Sequence, residues 1–186
     1  VWVAFFVSGK TYDAALYPSI YMINVADGSV VKRVMLDADA SGVGGVPSGQ
    51  PSIVDSDGNG YIDRLYIGTD KGFLYKVNIP DDPDTVKYAF SNTVINRDFT
   101  DSNDPANSVA VDQRYHPIYG TPVVLVDNGV AYFAAGIFPA EGVYVYAVDA
   151  ENGELIWCND SCAAAPQSRI SPQGYMLASE SRLFTP

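Results

Sequence analysis

Short runs rich in Val, Ile, Tyr and Phe recur along this chain between clusters of Gly, Asp, Asn and Pro, and apolar residues almost never fall at the spacing of a helix face. That pattern predicts an all-β chain. Within it a five-residue unit, apolar-Tyr-x-apolar-Asn/Asp, appears as Ile20-Tyr21-Met22-Ile23-Asn24, as Leu74-Tyr75-Lys76-Val77-Asn78 and as Val145-Tyr146-Ala147-Val148-Asp149. Each copy follows a strand that ends in small residues: Phe5-Phe6-Val7-Ser8-Gly9, Leu65-Tyr66-Ile67-Gly68-Thr69 and Tyr132-Phe133-Ala134-Ala135-Gly136. Small residues there let the chain turn back tightly. The first and third copies then run through Asp27-Gly28 and Asn152-Gly153 into Val30-Val31 and Leu155-Ile156-Trp157. Asp-Gly and Asn-Gly supply the positive φ of a tight hairpin.

A further strand precedes the second and third copies, at Pro51-Ser52-Ile53-Val54 and Pro122-Val123-Val124-Leu125-Val126, which makes four strands per unit. Four-stranded units repeated every ~40–50 residues are the sequence form of a β-propeller, whose blades bury their faces only against one another. The units fall at about 1–36, 50–92 and 118–160, and another begins at 170–186. Segment 98–113, with Asp98, Asp101, Asp104 and Asp112 among small polar residues, reads as an exposed insertion. Complete propellers carry about 4–8 blades, so the expectation is an incomplete part of a ring. A β-sandwich of similar strands is the competing architecture. The chain also opens directly in the apolar run Val1 to Val7 and stops just after Leu183-Phe184, so both ends are expected to continue in a longer protein.

Charge narrows the function classes. Eleven Lys and Arg stand against 22 Asp and Glu, a formal net charge of -11 that repels phosphate backbones and anionic lipid. Nucleic acid is therefore excluded as a partner, and a divalent cation is the natural counter-charge. No apolar run approaches the ~20 residues of a membrane-spanning helix, so no membrane-spanning segment is expected. Cys158 and Cys162 flank Asn159-Asp160-Ser161 and form a candidate disulfide closing a turn, which suits an exported protein; two free thiols in a reducing compartment are the alternative. Zinc lacks ligands, because His116 is the single histidine. No set of nucleophile, base and orienting group stands out, which argues against hydrolase chemistry.

The sharpest chemical signal is Asp55-Ser56-Asp57-Gly58-Asn59-Gly60-Tyr61-Ile62-Asp63, between the first two strands of the second unit. The third unit has only Asp127-Asn128-Gly129 at that place. Oxygen-bearing Asp55, Asp57, Asn59 and Asp63 fall at loop positions 1, 3, 5 and 9, Tyr61 offers its carbonyl at position 7, and Gly60 takes the sharp turn at position 6. A loop so spaced wraps a hard cation in oxygens, and Ca2+ tolerates that geometry better than Mg2+. Three carboxylates with no Lys or Arg among them also repel one another until a cation cancels the charge. The loop departs from an EF-hand at position 12, where Tyr66 replaces a bidentate Glu and Arg64-Leu65-Tyr66-Ile67 reads as a strand. A strand-to-strand clip with an affinity on the order of 10⁻⁴ to 10⁻⁶ M is expected, without helix-opening sensor behaviour. The competing reading is a glycine-rich Asx turn that binds nothing.

From Gln50 through this loop to Arg64-Leu65-Tyr66-Ile67-Gly68-Thr69 and Phe73-Leu74-Tyr75-Lys76-Val77, the chain resembles the C-terminal propeller of the PilY family, the tip-associated adhesins of type IV pili. The resemblance covers about residues 4–90. It implies a quinoprotein-like propeller whose calcium loop governs pilus extension, retraction and attachment, with Asp55, Asp57, Asn59, Tyr61 and Asp63 as ligands. Integrin-type propellers carry the same kind of loop. Gly142 to Trp157 resembles the repeat of pyrroloquinoline-quinone (PQQ) enzymes and their non-catalytic relatives, a pattern that implies packing of Trp157 between blades.

Three functions follow. A calcium-dependent, secreted or cell-surface propeller associated with pili would take pilus components or a surface or host ligand as partner. A non-catalytic scaffold of an envelope complex, extracellular or periplasmic, would use calcium only structurally. A PQQ-dependent dehydrogenase would need a cofactor site in the ring and often shows adjacent cysteines, which Cys158 and Cys162 are not.

Overall fold

A computed structural model of the chain describes residues 2–8, 18–36, 45–70, 72–79, 91–96, 117–137, 142–159, 176–179 and 182–184. The insertion 98–113, His116 and Cys162 lie outside the described residues. Strands β1 (Val3–Val7), β2 (Ser19–Asn24) and β3 (Val30–Met35) form one antiparallel sheet. β4 (Ser52–Val54), β5 (Arg64–Gly68), β6 (Leu74–Asn78) and β7 (Ser91–Asn96) form a second, in chain order. β8 (Val123–Leu125), β9 (Val130–Ile137), β10 (Gly142–Asp149) and β11 (Leu155–Asn159) form a third. β12 (Leu177–Ser179) and β13 (Arg182–Phe184) pair as a hairpin. The three repeats of the sequence lie on β2, β6 and β10.

Sequence patterning missed β7. Its residues Ser91-Asn92-Thr93-Val94-Ile95-Asn96 carry little apolar character and are separated from β6 by 79–90, so only hydrogen bonding to β6 reveals the strand. It runs past 92, where the second unit was expected to end.

The sheets stack face to face, and the middle strands show why. In β5, Leu65 and Ile67 point into one cluster with Ile20, Val34, Leu36, Phe73, Tyr75 and Val77, joined by Phe5 and Val7 of the first sheet. Tyr66, between them in sequence, points the other way, into a cluster with Leu74, Ile118, Phe133, Tyr146 and Met176. Side chains alternate across a strand, so one run of apolar residues serves two seams at once. Strands buried on both faces read as near-continuous apolar runs, which is the texture of Leu65-Tyr66-Ile67 and Leu74-Tyr75. Each large side chain so buried contributes about 1.5–3 kcal/mol.

The first strands of the blades converge. β8 lies against β4 on one side and β12 on the other, as inner strands around a common axis do. Antiparallel four-stranded sheets arranged in this way are blades of a β-propeller, here part of a ring.

Segment 117–120 locks the second blade to the third. The Ile118 N–H donates to the Thr69 carbonyl at 2.9 Å, the Gly136 N–H to that of Pro117 at 2.9 Å, and the Ser48 hydroxyl to that of Ile118 at 2.5 Å. Gly68, expected to serve a tight turn, is needed for closeness instead: a Cβ there would stand 2.3 Å from Ile118 Cγ2 and 2.6 Å from Ile118 Cβ. Cβ is the branch point of the isoleucine side chain and Cγ2 the methyl attached directly to it, so neither has much room to yield. Gly68→Ala is therefore expected to destabilise the fold by about 1–3 kcal/mol, as overpacking of a tight core does, read as a lower midpoint in urea.

Candidate metal-binding loop

The loop 55–63 closes a hairpin whose last register pair is Val54 with Arg64. Asp63 N–H donates to the Val54 carbonyl at 3.0 Å, which fixes the far end of the loop beside its beginning. Gly58 (φ 74°) and Gly60 (φ 90°) take the left-handed conformations that let nine residues turn within this span.

Inside, carboxylates take up the loop's own amides. Asp55 Oδ1 accepts from the N–H groups of Gly58 at 2.8 Å and Asn59 at 3.2 Å, and Asp55 Oδ2 accepts from Gly60 N–H at 2.8 Å. The Gly60 amide is the largest influence holding the Asp55 carboxyl below its ordinary range. Asp57 Oδ1 accepts from Asn59 N–H at 3.0 Å, and Asp57 Oδ2 from the Asn59 side-chain amide at 2.8 Å. The Asn59 side-chain oxygen in turn accepts from Tyr61 N–H at 2.8 Å. Asp55, Asp57, Asn59 and Tyr61 are thus brought into one chain of Asx turns, with the Tyr61 ring in solvent.

Asp63 is placed differently. It is 7% exposed, and its two oxygens accept from the Ser56 N–H, at 2.8 Å, and from the Ser56 hydroxyl. Among the described residues no group of three or more His, Cys, Asp or Glu is gathered closely enough to hold a metal ion. The donor chemistry of the loop, three carboxylates, an amide oxygen and a carbonyl, nevertheless suits calcium. Ser56, which the spacing argument passed over, is the residue that decides where Asp63 rests. Tyr66, at the twelfth position, lies in β5 with a buried side chain and offers no further ligand.

Next to the loop stands a charge cluster that sequence reasoning did not find. Lys76, in the middle of β6, is 3% exposed and faces the third blade. There Glu151, in the turn between β10 and β11, meets it: Lys76 Nζ is 2.8 Å from Glu151 Oε1 and donates to the Glu151 carbonyl at 3.1 Å. The second carboxylate oxygen takes Arg64 Nη1 at 2.5 Å. Arg64 Nε lies 3.9 Å from Asp63 Oδ2, so one guanidinium is shared by the loop and the neighbouring blade. Tyr66 adds its hydroxyl to the Ala150 carbonyl at 3.0 Å, and burial pushes that phenol above its ordinary value. A lysine inside the run Leu74-Tyr75-Lys76-Val77 was the available signal, because a buried charge demands a partner. Nothing in the turn around Glu151 identified it as that partner.

Two expectations outside the loop fare differently. Trp157, implied to pack between blades, is 40% exposed on β11, an edge strand exposed along its whole length among the described residues. Its ring meets Tyr132 at 5.9 Å between centroids. Both residues pair with the fully buried Ala147, whose small side chain leaves the two rings room to meet over it. Cys158 lies on the same strand, opposite Tyr146, and its candidate partner Cys162 is outside the described residues.

No protein-family model matches the chain, and no curated protein matches it significantly. Among solved structures it is similar to the crystal structure of the Pseudomonas aeruginosa PilY1 C-terminal domain, with a TM-score of 0.58 and 15% identity over 82% of this chain and 35% of that one. The chain has the fold of that propeller domain. It spans about a third of the domain's length. BamB from Moraxella catarrhalis is also found, at a TM-score of 0.34 and 14% identity over 78% of this chain and 44% of that one, too distant to carry weight. No described helix is long and apolar enough to cross a membrane.

The charge cluster fixes an acid response. The hydrogen bond from Lys76 is the largest influence holding the Glu151 carboxyl below its ordinary range. A lowered folded value means that the stabilisation is present above the ordinary Glu value of about 4.3 and fades as pH falls through the folded one. Glu151→Gln is expected to lower stability at pH 7 by about 1–2 kcal/mol, less than the ~3–5 of a fully buried pair because the Glu151 side chain is 64% exposed. Urea melts from pH 7 down to pH 3 should show that gap closing toward the acid end.

Proposed function

We propose that this chain is part of a calcium-binding β-propeller of a secreted or cell-surface protein, a type IV pilus-associated adhesin that regulates pilus extension and retraction. The observation that carries the reading is the loop 55–63: an all-oxygen strand-to-strand connection, in a chain with the fold of the PilY1 C-terminal domain. Asp55, Asp57, Asn59, the Tyr61 carbonyl and Asp63 would hold the ion. When bound, calcium supplies two positive charges to a connection whose three carboxylates are otherwise held by the loop's amides, one hydroxyl and, at Asp63, the nearby Arg64 guanidinium. For Asp63 to join the others it must leave Ser56, so part of the binding energy is spent on that rearrangement and a moderate affinity follows.

The role is binding rather than catalysis, with pilus components or a surface or host ligand as partner. The net charge of -11 supports a cation-dependent surface and opposes nucleic acid or anionic lipid. A pilus-associated propeller would work outside the cell or in the periplasm.

Calcium is expected to raise the thermal midpoint of the parent chain, because a ligand that binds only the folded state stabilises by mass action, about 2.7 kcal/mol at a hundredfold excess over Kd. Asp55→Ala, or Asp57→Ala combined with Asp63→Ala, should abolish that increment, in addition to lowering the calcium-free midpoint through the loop hydrogen bonds that are lost. Titration calorimetry with calcium chloride at neutral pH is the direct measurement. Absence of binding at millimolar calcium in the parent would remove the support for the adhesin reading.

A further inference from the structure

We propose that cation binding in the β4–β5 loop is coupled to the seam between the second and third blades through Arg64, whose guanidinium lies between Asp63 of the loop and Glu151 of the facing blade. The inference rests on the reading that the loop takes a cation. Its substance is the geometry that links the two places.

Arg64 directly follows Asp63 and opens β5, so its backbone is the loop's own exit. Its Nε is 3.9 Å from Asp63 Oδ2, and its Nη1 is 2.5 Å from Glu151 Oε2. Glu151 therefore stands one guanidinium away from a loop bearing the carboxylates of Asp55, Asp57 and Asp63. The other oxygen of Glu151 is held by Lys76, which has almost no access to solvent and, among the described residues, no second ion pair. Without a cation the loop would act on this arrangement in two ways. Its negative charge repels Glu151, and Asp63 competes with Glu151 for the same cationic group. A divalent cation cancels most of that charge and engages Asp63, which leaves Arg64 to Glu151 and the neighbouring Tyr66 hydroxyl. The seam around Lys76, with the Tyr66 hydroxyl on the Ala150 carbonyl beside it, then closes more firmly.

Coupling of this kind is reciprocal. If the cation strengthens the Glu151 contacts, Glu151 strengthens cation binding by the same factor. The groups are partly solvated, so the factor sits at the low end for linked sites, about two- to tenfold, and shrinks with added salt.

The test is calcium titration by calorimetry on the whole chain, its Glu151→Gln variant and its Glu154→Gln variant, at low and at high ionic strength. Glu154 is a solvent-exposed acid in the same turn, and its removal changes net charge equally without touching Arg64 or Lys76. Calcium binding weakened about two- to tenfold in Glu151→Gln and unchanged in Glu154→Gln, with the gap narrowing in salt, is the expected result. Equal affinity in the parent and Glu151→Gln overturns the coupling and leaves the loop reading intact. Equal weakening in both variants overturns it too, since bulk charge would then explain the effect. A parent that binds no calcium overturns the loop reading and the coupling together. Should Glu151→Gln fail to fold, Glu151→Asp replaces it, keeping the charge while shortening the reach to Arg64, and a weakening in the same direction is expected.

Discussion

A propeller blade has two apolar faces and no covering layer of its own, so its fold depends on neighbours meeting both. In this chain the constraint falls on β5 and β6, whose alternate side chains feed two separate clusters: Leu65, Ile67, Tyr75 and Val77 toward the first blade, Tyr66 and Leu74 toward the third. Nothing in the second blade is stable by itself under this arrangement, because each face of its sheet is finished by another part of the chain. The close approach of Gly68 to Ile118 belongs to the same requirement. Segment 117–120 must lie flat against the end of β5 for the blades to meet, and any side chain there would hold them apart.

Lys76 sits on the third-blade face of β6 and breaks the apolar rule of that seam. Its charge is acceptable only because Glu151 arrives from the next blade with a carboxylate and a carbonyl, and because Arg64 shares the same carboxylate. A half-buried ion pair of this kind adds little net stability over a well-packed apolar pair, but losing Glu151 leaves the buried Lys76 charge without its carboxylate. It therefore serves as a registry mark. The blades fit in the one alignment that brings the β10–β11 turn over the end of β6 and the start of β5.

The acidic loop 55–63 hangs from that same corner. Its amides and carboxylates satisfy one another through successive Asx turns, which gives the connection a definite shape of its own. The residues with the strongest claim as ligands are thus ordered by local chemistry, whereas Asp63 is ordered by its contact with Ser56 and its place at the mouth of the hairpin. Fold similarity to the PilY1 domain, at 15% identity, shows that such a propeller is built here from a largely different set of residues.

The sequence by itself determined the strands of the repeats, the propeller architecture and the acidic loop, because each is written in local spacing: alternation within a strand, Gly at turns, oxygens at fixed positions. Three things were decided only in three dimensions. β7 carries too few apolar residues to announce itself and exists through its hydrogen bonds to β6. The contact of Trp157 with Tyr132 over the small Ala147 is set by the register of β9, β10 and β11, which brings together residues from three strands. The partnership of Lys76 with Glu151 joins residues 75 positions apart, and no local pattern records a charge whose counterpart is supplied by the neighbouring blade.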